Sequence, residues 1–330
     1  MNQWQLWRRT VVFFWRSHAA VAAGVAVAAA VITGALLLGD SLRGSLRRMS
    51  LDRLGPVDAV LRTDRFFRAT LADELQARLA QDPRHGQVGL TGFVPLLVLE
   101  GVVETADGRP SRTAGGVQVI GCDERFWQLE SDKDSSLVLP RLSGSVFPEP
   151  NPAAGLDAAA QEEPVVLLNK PWAEQMGLEP GQEILIRFSD RSAIAPESAL
   201  GRKDRTVRSW RVRVAQVVPE SRWTGRFAWT NFQQKPLLVY VPLAALQQRL
   251  NQPGRVNTIL AIGQPDHTEP PEGQDALVAD CLRPTAEDYG LRIERVEQGK
   301  YTYIHITTDR LLFPPALEET VRRALVGCRF

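Results

Sequence analysis

The chain has 330 residues, 44% of them hydrophobic and 23% charged, with a formal net charge of +1. The near-neutral balance lacks the basic footprint that nucleic-acid binding needs, so DNA and RNA are excluded as partners. Three cysteines, Cys122, Cys281 and Cys328, lie far apart. That is neither a disulfide framework nor a metal-ligand spacing.

The first element is the segment 1–18. Trp4, Trp7, Val11, Phe14 and Trp15 share one helical stripe, with Arg8, Arg9 and Arg16 off it. Indoles at headgroup depth beside arginines predict an amphipathic helix in the membrane interface, or the ordinary flanking anchors of a single span. Residues 19–39 follow, with an uncharged run from Ala19 to Leu38. Twenty helical residues rise about 30 Å, the thickness of a bilayer's hydrocarbon core, so this run is read as a transmembrane helix. A cleaved signal peptide is the competing reading. The run is long for one, and GDSLRGSLRR after it offers no clear small-x-small cleavage site, which favours a retained anchor. Arginines flank the run on both sides, so their count leaves the orientation open.

Residues 40–55 keep Leu42, Leu46, Met49 and Leu54 near heptad spacing. They predict either a continuation of the helix as a stalk up to Gly55-Pro56 or a short amphipathic helix. Residues 56–330 form the main domain. Asp58–Arg62 reads as a strand. A helix capped by Thr63 or Asp64 is expected next, with Phe67, Leu71, Leu75 and Leu79 on one face, ending at Asp82-Pro83. Gly92–Thr105 reads as a strand bent at Pro95, and Gly116–Gly121 as another. The stretch from Ser131 to Glu163, rich in Pro, Gly and Ser, reads as a mobile surface loop.

Pro164–Leu168 is read as a buried strand. A short helix follows, opened by Pro171 and closed by Gly177. Glu179-Pro180-Gly181 is a turn, and the alternations around Ile184–Phe188 and Trp210–Val214 are half-exposed strands. Leu237–Val241 leads through Pro242 into a helix over Leu243–Leu250. Strands at Val256–Ile262, Leu291–Val296 and Tyr301–Thr307 and a helix near Asp275–Tyr289 complete the chain. Strands outnumber helices in irregular order, so the fold class is α+β with mixed sheets.

Several of these segments in this order resemble one family. RRTVVFFWRSH with the apolar run and GDSLRGSLRR, then GVQVIGCDERFWQL (Gly116–Leu129), PVVLLNKPWAEQMGLEPGQEILIRF (Pro164–Phe188), WRVRVAQVVPE, KPLLVYVPLAALQQRL and RVNTILAIG are similar to FtsX-like ABC transporter permeases with a MacB-like periplasmic core domain. The resemblance implies one transmembrane helix and stalk, then an extracytoplasmic core. In that core a β-rich sub-domain, about 123–241, is inserted into a porter-like βαβ unit. It implies a cell (inner) membrane location, with a cytoplasmic N-terminus and the main domain outside. It implies partners as well: an ABC ATPase subunit, a second permease copy and the lipid bilayer. Such permeases carry three further transmembrane helices after the core, and no second apolar run occurs here. A fragment, a disrupted gene and a one-span derivative are the readings this leaves open. A stand-alone, single-span binding module is the alternative function.

No catalytic, cofactor-binding or metal residue is nominated. The Gly-Lys-Ser/Thr phosphate loop, His-Glu-x-x-His and Gly-x-Ser-x-Gly are all missing from the sequence. His18, His85, His267 and His305 are isolated, and Glu162-Glu163 and Glu318-Glu319 are chain neighbours that do not face each other on a helix. The remaining local concentration is aromatic: Trp223, Phe227, Trp229 and Phe232. It reads first as core packing and second as a groove for a lipid or hydrophobic peptide.

Overall fold

The computed structural model describes residues 3–106, 112–130, 165–189, 207–228, 235–264, 271, 273–298, 301–308 and 318–319. The chain divides into two compact units, Met1–Arg53 and Leu54–Phe330. The reading of Ser131–Glu163 as a loop lies outside the described residues.

The first unit is helical. Helix α1 spans Gln3–Phe13 and α2 spans Trp15–Leu54. Around Phe14 the helical bonding continues, since the Phe14 amide donates to the Thr10 carbonyl and the His18 amide to the Phe14 carbonyl, both at 3.0 Å. No residue of α2 is buried, and it is the one helix among the described residues long and apolar enough to cross a membrane. Exposed valine, isoleucine and leucine along more than five turns have no stable place in water. The helix runs on past the apolar stretch and stops at Leu54, where Gly55 takes φ +60°. A left-handed glycine after the last helical residue is the usual helix stop.

The second unit is mixed α+β. Strand β1 (Val57–Arg68) is followed by α3 (Thr70–Gln81), the single turn α4 (His85–Val88) and the long β2 (Leu90–Thr105). The expected helix start at Thr63 or Asp64 is corrected: the strand continues to Arg68 because its residues pair with β8 (Arg255–Gly263) up to Arg68 with Arg255. Ala69 precedes α3 without a side-chain cap. Leu71, Leu75 and Leu79 do share the buried face as the spacing predicts, with Phe67 joining them from the end of the strand.

β8 lies between β1 and β2 and is antiparallel to both, so β1-α3-β2 is a split β-α-β unit. α3 and α9 (Gln274–Cys281) cover it through Leu75, Leu79, Leu277 and Cys281. The expected helix to Tyr289 is shorter: α9 stops at Cys281, Leu282 is extended, and only Glu287–Tyr289 forms a 3-10 turn. Pro284 in this stretch disfavours helix in the residue before it.

β2 belongs to two layers. Leu90–Leu96 pairs with β8, and Leu97–Glu104 pairs with β3 (Thr113–Cys122). Pro95 stands in the first half, where β2 is the edge of its layer, a position that tolerates a missing N–H. Beyond it the sheet closes. The order β2-β3-β7-β4-β6-β5 returns to β2 through Gly101–Thr105 pairing with β5 (Glu183–Ser189). β4 is Val165–Asn169, β6 Val207–Val218 and β7 Leu238–Pro242, the last followed by α8 (Leu243–Leu250). Alternate residues fill this ring: Leu99, Val119, Val166, Ile186, Val212 and Val239 belong to one buried cluster with Trp172 of α6 (Lys170–Met176). Closure removes the strand edges that an open sheet of this kind would expose.

The chain after α9 is tied back to β1 by one carboxylate. Asp288 has a side chain 2% exposed. It accepts from the Arg68 amide (3.0 Å), Arg68 Nε (3.0 Å) and Arg68 Nη2 (2.9 Å), and from Thr285 N (2.8 Å) and Oγ1 (3.0 Å). Burial pushes this carboxyl up. The Arg68 and Thr285 hydrogen bonds outweigh it and hold the group below the usual carboxylate range. A carboxyl depressed in the folded state contributes stability that is complete above its unfolded value of about 4 and is lost as pH falls through the lower folded value. Urea midpoints are therefore expected to drop below about pH 4. Asp288→Asn should be less stable than the native chain at pH 7 and should flatten that acid limb; an unchanged limb would remove Asp288 as its source.

Candidate functional site

The residues with the most specific geometry surround the point where the chain enters the second unit. Gly55 is followed by Pro56, whose carbonyl accepts from the Gly263 amide at 2.9 Å, starting the β1–β8 ladder. The indole of Trp223 lies directly on Gly55. A Cβ built there would fall 2.1 Å from Trp223 Nε1 and 2.2 Å from its Cδ1. Positive φ and zero space both demand glycine at this position.

Trp223 opens α7, a single turn over Trp223–Arg226. A helix this short needs outside partners for its orphan N–H groups. Glu130 supplies them, accepting from Trp223 N at 3.0 Å, Thr224 N at 3.2 Å and Thr224 Oγ1 at 2.6 Å. Glu130 lies just past α5 (Glu124–Gln128), which Asp123 caps by accepting from the Arg125 amide at 3.1 Å. At the other end, the Tyr240 hydroxyl donates to the Thr224 carbonyl. Asn169 Nδ2 donates to the carbonyls of Gly225 (3.2 Å) and Pro236 (2.7 Å), while its Oδ1 accepts from the Leu238 amide at 3.0 Å. Gly225 is forced too: a Cβ there would sit 2.1 Å from the Pro219 carbonyl oxygen.

These bonds frame an aromatic core. Ring centroids are 5.4 Å apart for Phe126 and Trp223, 5.0 Å for Trp223 and Phe227, and 5.2 Å for Trp127 and Tyr240. All lie within the range where tilted and edge-on ring pairs attract beyond their area burial. Cys122 is fully buried in the same cluster. Burial pushes the Cys122 thiol and the Tyr240 phenol well above their ordinary values, so both are neutral at physiological pH. A thiol held protonated in an apolar core is not a nucleophile. The arrangement fixes the start of β1 against α5, α7, β4 and β7.

Of the four aromatics singled out in the sequence, Trp223 and Phe227 are packed core residues, and Trp229 and Phe232 lie outside the described residues. Phe126, Trp127 and Tyr240 join them from distant segments. The adjacent Phe126-Trp127 after an Asp cap was the one sequence signal for a second aromatic source. Glu130 and Asn169 gave none. His18 is exposed on α2, His85 starts α4, His305 is exposed on a strand near the end, and His267 lies outside the described residues. Among the described residues no group of three or more His, Cys, Asp or Glu side chains is placed to hold a metal ion. Of the carboxylate pairs, Glu318 and Glu319 are exposed and Glu162-Glu163 lies outside.

No family model and no curated protein matches the chain. Solved structures do. The periplasmic region of MacB from Actinobacillus actinomycetemcomitans is 11% identical with a TM-score of 0.34, over 82% of this chain and 92% of that one. The extracellular domain of the noncanonic ABC-type transporter YknZ from Gram-positive bacteria is 10% identical with a TM-score of 0.33, over 70% and 95%. Both likenesses are too weak to assign a role residue by residue.

Proposed function

We propose that the chain is the membrane-anchored, extracytoplasmic part of an ABC transporter permease subunit. On this reading it binds no nucleotide itself. A separate ATPase subunit in the cytoplasm hydrolyses ATP, a second permease copy completes the assembly, and the outer domain handles a lipid, lipoprotein or peptide. The N-terminus is cytoplasmic in the cell (inner) membrane. The working division is 1–18 interfacial segment, 19–39 span, 40–55 stalk and 56–330 core, with a β-rich insertion at about 123–241.

The observation that carries this reading is continuity. One 40-residue helix contains the whole apolar run and ends one residue before Gly55, which is wedged under Trp223. The ordered resemblance of its segments to FtsX-like permeases supports the family part of this reading.

The test is co-purification. The chain, expressed from its own locus and extracted in mild detergent, is expected to bring down a Walker-motif ATPase. An anchored chain that brings down no ATPase would favour a stand-alone binding module. A second expectation concerns the anchor: Ala29→Arg puts a charge at the middle of the run, at a cost of about 2.5–3.5 kcal/mol on the insertion scale. The carbonate-resistant membrane fraction should fall, and an unchanged fraction would count against a spanning α2.

A further inference from the structure

Before the apolar run the chain is cationic and aromatic and carries no acid. Its charged side chains are Arg8, Arg9 and Arg16, and the first carboxylate is Asp40, on the far side of the run. On α1, Trp4 and Trp7 are 78% and 71% exposed, and Val11, Phe14 and Trp15 continue their stripe, exposed as well. Arg9 and Arg16 lie two turns apart on one flank of that stripe. Arg16 also sits over the Trp15 ring, with its Cζ 5.8 Å from the centroid, just before the apolar run. That is within reach of a cation–π contact, and it pairs an indole with a guanidinium at the edge of the hydrocarbon layer.

A straight extension of α2 would carry Trp4 about 22 Å beyond Ala19, while the headgroup layer adds only about 5–8 Å to each side of the hydrocarbon core. Staying at headgroup depth therefore requires a bend, and the chain has a place for one. Phe14 belongs to neither α1 nor α2. The Thr10 hydroxyl donates to the Leu6 carbonyl at 3.0 Å. A threonine bonded to the carbonyl four residues back weakens a helix and bends it. Between Thr10 and Phe14 the helix can turn into the plane of the headgroups.

We propose that α1 docks on the headgroups of anionic phospholipids in the leaflet where α2 emerges. Charge selects the occupant. Three arginines with no neighbouring acid complement a surface of excess phosphate charge, and the guanidinium fork matches phosphate oxygens bidentately. The indole stripe suits the same depth, since tryptophan is enriched at the membrane–water interface. α1 ends two residues before α2 begins, so the headgroups are the surface nearest to it along the chain. Each arginine close to an anionic leaflet favours the docked state about fivefold. Lipid composition then decides whether α1 lies on the membrane or stands off it. This rests on α2 spanning the membrane and not on the ATPase.

The experiment uses the full chain with Cys328→Ser and Val11→Cys, since Cys122 and Cys281 are buried. The thiol at position 11 carries an environment-sensitive fluorophore. The chain is placed in nanodiscs of phosphatidylcholine alone or mixed with phosphatidylglycerol. Emission is expected to shift to the blue only with phosphatidylglycerol, and the shift should fade in high salt. Arg9→Gln should weaken the docking about fivefold, and Arg8→Gln, Arg9→Gln and Arg16→Gln together roughly a hundredfold, whereas Arg9→Lys should keep it. An equal shift in both lipids, or one that survives the triple change, would mean that the aromatic stripe alone holds α1 and overturns the proposal. No shift in either lipid overturns it too, and leaves the stripe for a protein. A chain that does not insert into the disc overturns it through the anchor, and the spanning α2 of the proposed function fails with it. An inserted chain whose α1 stays in water overturns the docking alone.

Discussion

Gly55→Ala is expected to be among the most damaging single-methyl changes in the second unit. The left-handed conformation at Gly55 costs a residue with a Cβ about 1–2 kcal/mol. The added carbon falls inside the Trp223 indole, and overpacking of that kind costs about 1–3 kcal/mol more. Trp223→Ala alone should cost about 3–5 kcal/mol, as large aromatic truncations in cores do. The informative quantity is the double mutant. With the indole gone the alanine methyl has room, so only the backbone strain remains and the two losses should fall short of their sum by about 1–3 kcal/mol. Urea denaturation of the full chain in detergent, followed by near-ultraviolet circular dichroism, measures it. Strictly additive losses would mean that Trp223 does not hold Gly55.

Asn257 carries the second large effect. β2 leaves β8 after Leu96 pairs with Thr258, and at that branch the side chain of Asn257, fully buried, replaces a ladder step. Its Oδ1 accepts from the Val98 amide at 2.8 Å and its Nδ2 donates to the Val98 carbonyl at 2.7 Å. Removing the amide with Asn257→Ala leaves both backbone groups dry and unpaired, at about 1–3 kcal/mol each. The expected loss is several times that of a surface substitution, and it should appear as faster hydrogen exchange at the Val98 amide. A loss within about 0.5 kcal/mol, the range of surface changes, would mean that water or a neighbour replaces the asparagine. The residue matters because β2 is the strand shared by the split β-α-β layer and the closed ring, so its branch point fixes one against the other.

Local periodicity carried much of the element list. The three leucines of α3, the Pro171-to-Gly177 helix, the alternations of β5 and β6 and the stop at Gly55 are all short-range patterns, and each stands in the structure where the spacing puts it. The two departures have different causes. Thr63 and Asp64 are good cap residues, and nothing near them reveals that β8, almost two hundred residues later, pairs with the segment and keeps it extended to Arg68. The helix expected through Tyr289 stops at Cys281, and here the signal is local, since Pro284 disfavours helix at the residue before it.

The candidate site was legible only in part. Trp223 and Phe227 stood out because aromatics are rare and these two are close together in the chain. Their partners Phe126, Trp127 and Tyr240 come from other strands and helices, and the polar residues that hold them, Glu130 and Asn169, are ordinary residue types whose roles depend on which backbone groups folding leaves unpaired.

By itself the sequence determined an uncharged run long enough to cross a bilayer, a helix that continues past it to a glycine, and an α+β domain behind, because hydropathy, helical period and backbone permissiveness are properties of neighbouring residues. The tertiary structure decided that β2 serves two sheets, that six strands close into a ring, and that an indole occupies the space beside Gly55. Each of those depends on contacts between residues far apart in the chain, and strand partnership is set by which edges and faces remain after everything else has packed.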